Sequence, residues 1–135
     1  SIGYVGSEYA FAQKIPYASI MNQRGELVEP TAESISAAAS GVIPADTRTS
    51  ITNADAAGAY PIATFTWMII YKEQNYSDRS KEQATATLNL LQYILSDEAQ
   101  KITSEVHYAP LPAQAKELSL KNLKTVTYDG VTILQ

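Results

Sequence analysis

The side chains that could do chemistry in this sequence are few and lie far apart. Carboxylates come together twice, at Glu26 with Glu29 and at Asp97 with Glu98. Paired acids can share general acid and base work on a glycoside, or hold a metal. Here the first pair falls at a turn and the second at a helix start, where carboxylates solvate the turn or complement the helix dipole. His107 is the only histidine, so a histidine-paired nucleophile or a histidine metal cage would need other partners. It follows a short helical segment, and its expected role is packing or capping. Arg48 lies within Thr47-Arg48-Thr49-Ser50, and a guanidinium beside hydroxyls can bind phosphate or sulfate. Hydroxyl-rich irregular segments are also ordinary loop chemistry. Arg48, Thr49 and Ser50 are therefore the candidate anion-binding residues.

The remaining motifs exclude more than they suggest. Asn75-Tyr76-Ser77 fits a glycosylation acceptor, a pattern common by chance. The sequence has neither a phosphate-cradling glycine loop of the nucleotide type nor a Gly-x-Ser-x-Gly elbow. With no cysteine, disulfides, thiolate catalysis, Fe–S clusters and cysteine zinc sites are all absent. The residues give no expectation of a cofactor, a metal or an enzyme.

Any such residue must be positioned by a fold, and the composition allows one. The 135 residues are 45% hydrophobic and 18% charged, with six glycines and six prolines. That suits one globular domain with a real core, and excludes disordered and low-complexity chains. The net charge is −4 and the ten basic residues are scattered, which argues against a nucleic-acid partner. The longest apolar stretch, about Trp67 to Tyr71, is far shorter than the ~20 residues that span a bilayer.

Hydrophobic patterning predicts alternating strands and helices, hence an α/β class. Ile2–Val5 reads as a strand, so that the sequence opens almost directly on a core element, as a fragment of something longer would. Ser7 is the expected cap of a helix over 8–14, and Lys14 suits its C-terminal dipole. Tyr17–Met21 reads as a strand, and Gln23-Arg24-Gly25-Glu26 as a tight turn into Leu27-Val28. A helix is expected over 32–40, with Ile35, Ala38 and Ala39 on one face and Gly41 as terminator. Residues 42–59 read as irregular. Tyr60–Tyr71 is the most β-like run: alternation passes into continuous apolarity, and Phe65, Trp67, Ile69 and Tyr71 on one face predict core packing. Next come a polar connector to Ser80 and an amphipathic helix over 81–95 built on Ala84, Leu88, Leu91 and Leu95. Short helices over 98–106 (capped by Ser96 or Asp97) and 113–123 precede a hairpin around Asp129-Gly130.

Several strings, taken in order, resemble one family. They are Ser1-Ile2-Gly3-Tyr4-Val5 with Glu8-Tyr9-Ala10-Phe11-Ala12, then Pro30-Thr31-Ala32-Glu33-Ser34. Ile51-Thr52-Asn53 and the run Gly58 to Trp67 follow, and Tyr108-Ala109-Pro110-Leu111-Pro112 comes last. Together they are similar to the later part of periplasmic phosphate-binding proteins, the substrate-capturing subunits of the bacterial phosphate ABC transporter. The likeness covers about residues 1–125. It departs from the family pattern at the inserted Gly6-Ser7, and nothing after Leu123 matches.

The resemblance implies a truncated part of a two-lobe, type II periplasmic-binding-protein fold with three-layer α/β/α lobes. Residues 1–60 would be the C-terminal part of the second lobe and residues 61–135 the segment returning to the first. Tyr60, Pro61 and Ile62 would form the hinge. The family's main phosphate ligands lie in its N-terminal half, and none of those motifs occurs here. This chain would thus supply scaffold and hinge rather than ligands. The implied partners are inorganic phosphate, the membrane permease, and the missing N-terminal half or a second copy of the chain. The implied location is the periplasm or the outer side of the cytoplasmic membrane, with a lipid anchor on the missing N-terminus as a variant. A ligand-free interaction module of the same fold, or a receptor for another oxyanion, is the alternative.

Overall fold

A computed structural model describes residues 2–134 of the chain. It is mixed helix and strand, with five helices and two small antiparallel hairpins among the described residues. Helix α1 spans Ser7–Ala12, strands β1 and β2 span Ile20–Met21 and Leu27–Val28, and helix α2 spans Ala32–Ala38. After a long irregular stretch come α3 (Lys81–Ile94), α4 (Asp97–Glu105) and α5 (Ala113–Leu123). Strands β3 (Thr127–Tyr128) and β4 (Val131–Thr132) close the described chain.

Local chemistry explains the helix boundaries. Thr31 caps α2 by accepting from the Ser34 N–H at 3.2 Å. Ser80 and Gln83 form a reciprocal capping box at the start of α3. Ser96, rather than Asp97, caps α4 through the Ala99 N–H. At the other end of α4, His107 takes a left-handed φ of 65°. Its N–H reaches the Ser104 carbonyl and the Tyr108 N–H reaches that of Thr103, closing the helix in a Schellman motif. His107 is therefore the C-terminal stop, and its ring packs edge-on to Phe11 at 5.9 Å. Helix α1 uses Gly6 as its cap, so the expected cap Ser7 is instead its first residue.

Two small cores result. Ala38 and Ala39 of α2 pack with Ile51, Ala59 and Ala63, and Phe65 lies partly buried against them. In the second core, α3 packs on α4 and α5, with Ala84, Leu88 and Ala115 buried, while Val126 is buried just before β3. Asn122 on α5 donates to the Ala45 carbonyl at 3.0 Å and links the two regions.

Two expected strands do not form. Ile2–Val5 is irregular and exposed. The run from Tyr60 to Tyr71 contains no strand, and of its expected core face only Phe65 reaches a core; Trp67, Ile69 and Tyr71 are exposed. The physical reason is common to both. β-favourable residues make a strand only against a partner ladder, and no described segment offers one. Gly41 is likewise not the α2 terminator, because the helix ends at Ala38 with Ala39 as its C-cap.

Leu88 is the largest apolar side chain that is fully buried. Leu88→Ala is expected to lower unfolding free energy by about 3 kcal/mol in urea titration. Leu90→Ala, on the exposed side of the same helix, is expected to change it by less than about 0.5 kcal/mol.

Candidate functional site

The segment that holds the candidate hinge residues is tied down by a polar node built on Asn22. Asn22 directly follows β1 and is 5% exposed. Its side-chain oxygen accepts from the N–H groups of Arg24 and Glu26, both at 3.0 Å, which winds the turn between β1 and β2. Gly25 makes that turn possible with a φ of 77°. The side-chain nitrogen of Asn22 then donates to Glu26 Oε2 at 2.7 Å and to the Ala59 carbonyl at 3.2 Å. All four hydrogen-bonding positions of this buried amide are satisfied.

Glu26 extends the node by accepting from the Gly58 N–H at 2.8 Å. The hydrogen bonds from Asn22 and Gly58, with Arg24 nearby, hold its carboxyl below the usual carboxylate range. Beyond it, the Tyr60 N–H donates to the Ser34 carbonyl of α2 at 2.9 Å, and the Pro61 carbonyl accepts from the Asn53 N–H at 2.8 Å. The Ala63 carbonyl accepts from the Thr52 hydroxyl at 3.2 Å. Pro61 is buried, burial raises the phenol pKa of Tyr60, and Ile62 is exposed. The chain around Tyr60, Pro61 and Ile62 is thus clamped from the β1–β2 turn, from α2 and from the 52–53 loop. Glu26 was visible in the sequence only as an acid near Glu29; its bond to Gly58 joins residues 32 positions apart. The spacing of Asn22 and Glu26 around Gly25 was the available signal for the turn, though not for what it grips.

The candidate anion residues lie in a separate loop. Arg48 is exposed and faces Asp46, with Nη2 to Oδ2 at 2.8 Å and Nε to Oδ2 at 2.9 Å. The Arg48 guanidinium and N–H hold the Asp46 carboxyl below its ordinary range. Ser50 is exposed and its hydroxyl accepts from the Thr52 N–H at 3.3 Å, while Thr49 is half-buried. The carboxylate of Asp46 occupies a face of Arg48 that an anion would otherwise use. Of the other acids, Asp97 pairs with Lys116, and Asn75 of the sequon-like triplet pairs with Asp129. Among the described residues there is no cluster of three or more metal-ligating side chains. No described helix is long and apolar enough to cross a membrane.

A second polar node, missed in the sequence, is centred on Glu73. Its carboxylate accepts from the N–H groups of Asn75, Asp129 and Gly130 at 2.9, 3.0 and 3.1 Å, and from the Thr127 hydroxyl at 2.7 Å. These hydrogen bonds, led by those of Asn75 and Thr127, pull its pKa down to about 2. Glu73 therefore fastens the β3–β4 hairpin, whose turn residues Asp129 and Gly130 both have positive φ, onto the connector ahead of α3.

No family model matches the chain. Individual relatives do. A phosphate-binding protein, PstS, of Xylella fastidiosa is 36% identical over 115 residues, covering 83% of this chain and 30% of its own length. The chain is related to the phosphate-binding proteins. A PstS protein of Methanocaldococcus jannaschii is 29% identical over 93% of this chain and 35% of its own. One of Haemophilus influenzae is 30% identical, over 93% of this chain and 37% of its own. The chain thus spans about a third of the length of the phosphate-binding relatives it matches.

Two outcomes follow from the nodes. Asn22→Ala is expected to cost about 2 kcal/mol through unpaired buried groups, and to speed amide exchange at Gly58 and Tyr60. Glu73 has a folded pKa below the ordinary glutamate value of 4.5, so its contribution is complete above that value. It is lost as pH falls toward about 2. The Gly130 amide resonance should follow that window in the native chain and lose the dependence in Glu73→Gln.

Proposed function

We propose that this chain is the C-terminal portion of a phosphate-binding protein serving an ABC importer, and that it supplies scaffold and hinge rather than the main phosphate ligands. The observation that carries the reading is the sequence relation to phosphate-binding proteins over most of the chain. The clamped backbone at 58–63 supports it from the structure. In this reading residues 1–60 belong to the second lobe of a two-lobe receptor and residues 61–135 return to the first. Tyr60, Pro61 and Ile62 form one crossing between the lobes. A hinge of this type needs a rigid base on one side and freedom on the other. Asn22, Glu26, Ser34 and Asn53 supply the base, and the unpaired run beyond Ala63 supplies the other side.

Arg48 with Thr49 and Ser50 stays outside the phosphate site in this reading, because Asp46 already answers the guanidinium. The protein is a transport receptor working outside the cytoplasmic membrane, with phosphate and a permease as partners, and not an enzyme. Lipid anchoring through the preceding part of the receptor is compatible with the same arrangement.

The test is reconstitution. The chain is mixed with the polypeptide that precedes it in the two-lobe relatives, and phosphate is titrated calorimetrically with sulfate as control anion. Phosphate-selective binding by the mixture is the expected result. Selectivity for another oxyanion would replace phosphate as the ligand. A stable complex that binds no anion would favour the ligand-free interaction module.

A further inference from the structure

We propose that, independently of any phosphate role, Asp129-Gly130 is a site of spontaneous conversion of aspartate to isoaspartate, and that Glu73 and Asn75 hold it closed in the folded chain. The reaction is intramolecular. The Gly130 nitrogen bonds to Cγ of the protonated Asp129 carboxyl, and one carboxyl oxygen leaves as water with the amide and acid hydrogens. Water then opens the succinimide ring at the Asp129 α-carbonyl carbon. The bond from that carbon to the Gly130 nitrogen breaks, the carbon becomes a free α-carboxyl, and the main chain continues through Cγ. One water is lost and one is gained, so no other reactant is needed.

The sequence singles out this dipeptide, because no other Asp or Asn in the chain precedes a glycine. A following glycine has no Cβ to crowd a ring closing on its nitrogen. Nothing lies within 4 Å of where a Gly130 Cβ would stand, so packing does not restrain the turn and its hydrogen bonds must do so.

Those bonds grip both reacting groups. The Gly130 N–H donates to Glu73 Oε2 at 3.1 Å and the Asp129 N–H to Glu73 Oε1 at 3.0 Å, which turns the attacking nitrogen toward Glu73. Asp129 Oδ1 accepts from the Asn75 side-chain amide, and Asn75 is positioned by its own N–H to Glu73 Oε1 at 2.9 Å. Both turn residues are also fixed in the left-handed region, at φ 51° and 74°, beside the paired Tyr128 and Val131. Ring closure must swing Cγ onto the Gly130 nitrogen, and so must break the Asn75 bond and draw the Gly130 N–H off Glu73. The product carries an extra main-chain carbon that a two-residue turn does not accommodate. Conversion therefore frees the hairpin from the connector ahead of α3.

The chain is incubated in mildly acidic buffer and sampled over weeks, and isoaspartate at residue 129 is measured by peptide mapping and isoaspartyl methylation. A synthetic peptide of residues 125–134 gives the unrestrained rate. The chain is expected to convert about tenfold or more slowly than the peptide, the effect of a charged hydrogen-bond acceptor on local opening. Glu73→Ala is expected to bring the rate close to that of the peptide, with helical circular dichroism unchanged. Asn75→Ala keeps the Glu73 bonds and frees only the Asp129 carboxyl; it is expected to raise the rate by less, and carries the test should Glu73→Ala unfold. A chain that converts as fast as the peptide would overturn the proposal, as would a peptide that does not convert. So would a folded Glu73→Ala no faster than the parent; a slower one would make the carboxylate a base for the reaction rather than its restraint.

Discussion

The fully bonded amide of Asn22 is the constraint on which the first half of the structure depends. A buried side-chain amide with an unmade bond is costly, so its four partners fix one another. They set the β1–β2 turn, the position of the Glu26 carboxylate, and through Ala59 and Gly58 the path of a segment more than thirty residues away. Ser34 and Asn53 add their own bonds to that path. The small core around Ala38, Ala39 and Ala59 lies beside this fixed path. Small side chains fill it, since the backbones of α2 and the 58–63 segment come close together.

The second half is organised in the same way with different chemistry. Helix α3 supplies the apolar face through Ala84 and Leu88, but the position of the last hairpin relative to the connector depends on Glu73. A single carboxylate gathers three N–H groups and a hydroxyl. Without it, the Asp129-Gly130 turn would present those donors to water. Gln74, almost wholly buried, keeps the connector against the hairpin through its backbone N–H to Thr127. Each half thus has a modest apolar core and one polar node joining segments distant in sequence.

What the sequence made legible follows from the range of the forces involved. The helices were readable because caps, dipoles and three-to-four spacing act within a few residues: α5 matches its expected bounds, and Ser80 and Ser96 sit where a hydroxyl can cap. The hairpin at Asp129-Gly130 was readable because both turn positions need positive φ. The run 60–71 reads as a core strand in sequence but forms none, because alternation records a preference for a partner and no described segment offers one. The roles of Asn22, Glu26 and Glu73 were hidden because their partners lie 37, 32 and 57 residues away. The grouping of Arg48 with Thr49 and Ser50 is visible in sequence, but its pairing with Asp46 depends on how the loop between them folds.

In the division of labour proposed above, this stretch holds a crossing segment in place and the anion is recognised elsewhere. The most direct measurement of that claim is calorimetric titration of the chain by itself with phosphate, sulfate serving as the control. The account predicts no saturable heat with either anion. Saturable phosphate-selective heat that is abolished by Arg48→Ala would contradict it and would place the site in the 46–50 loop.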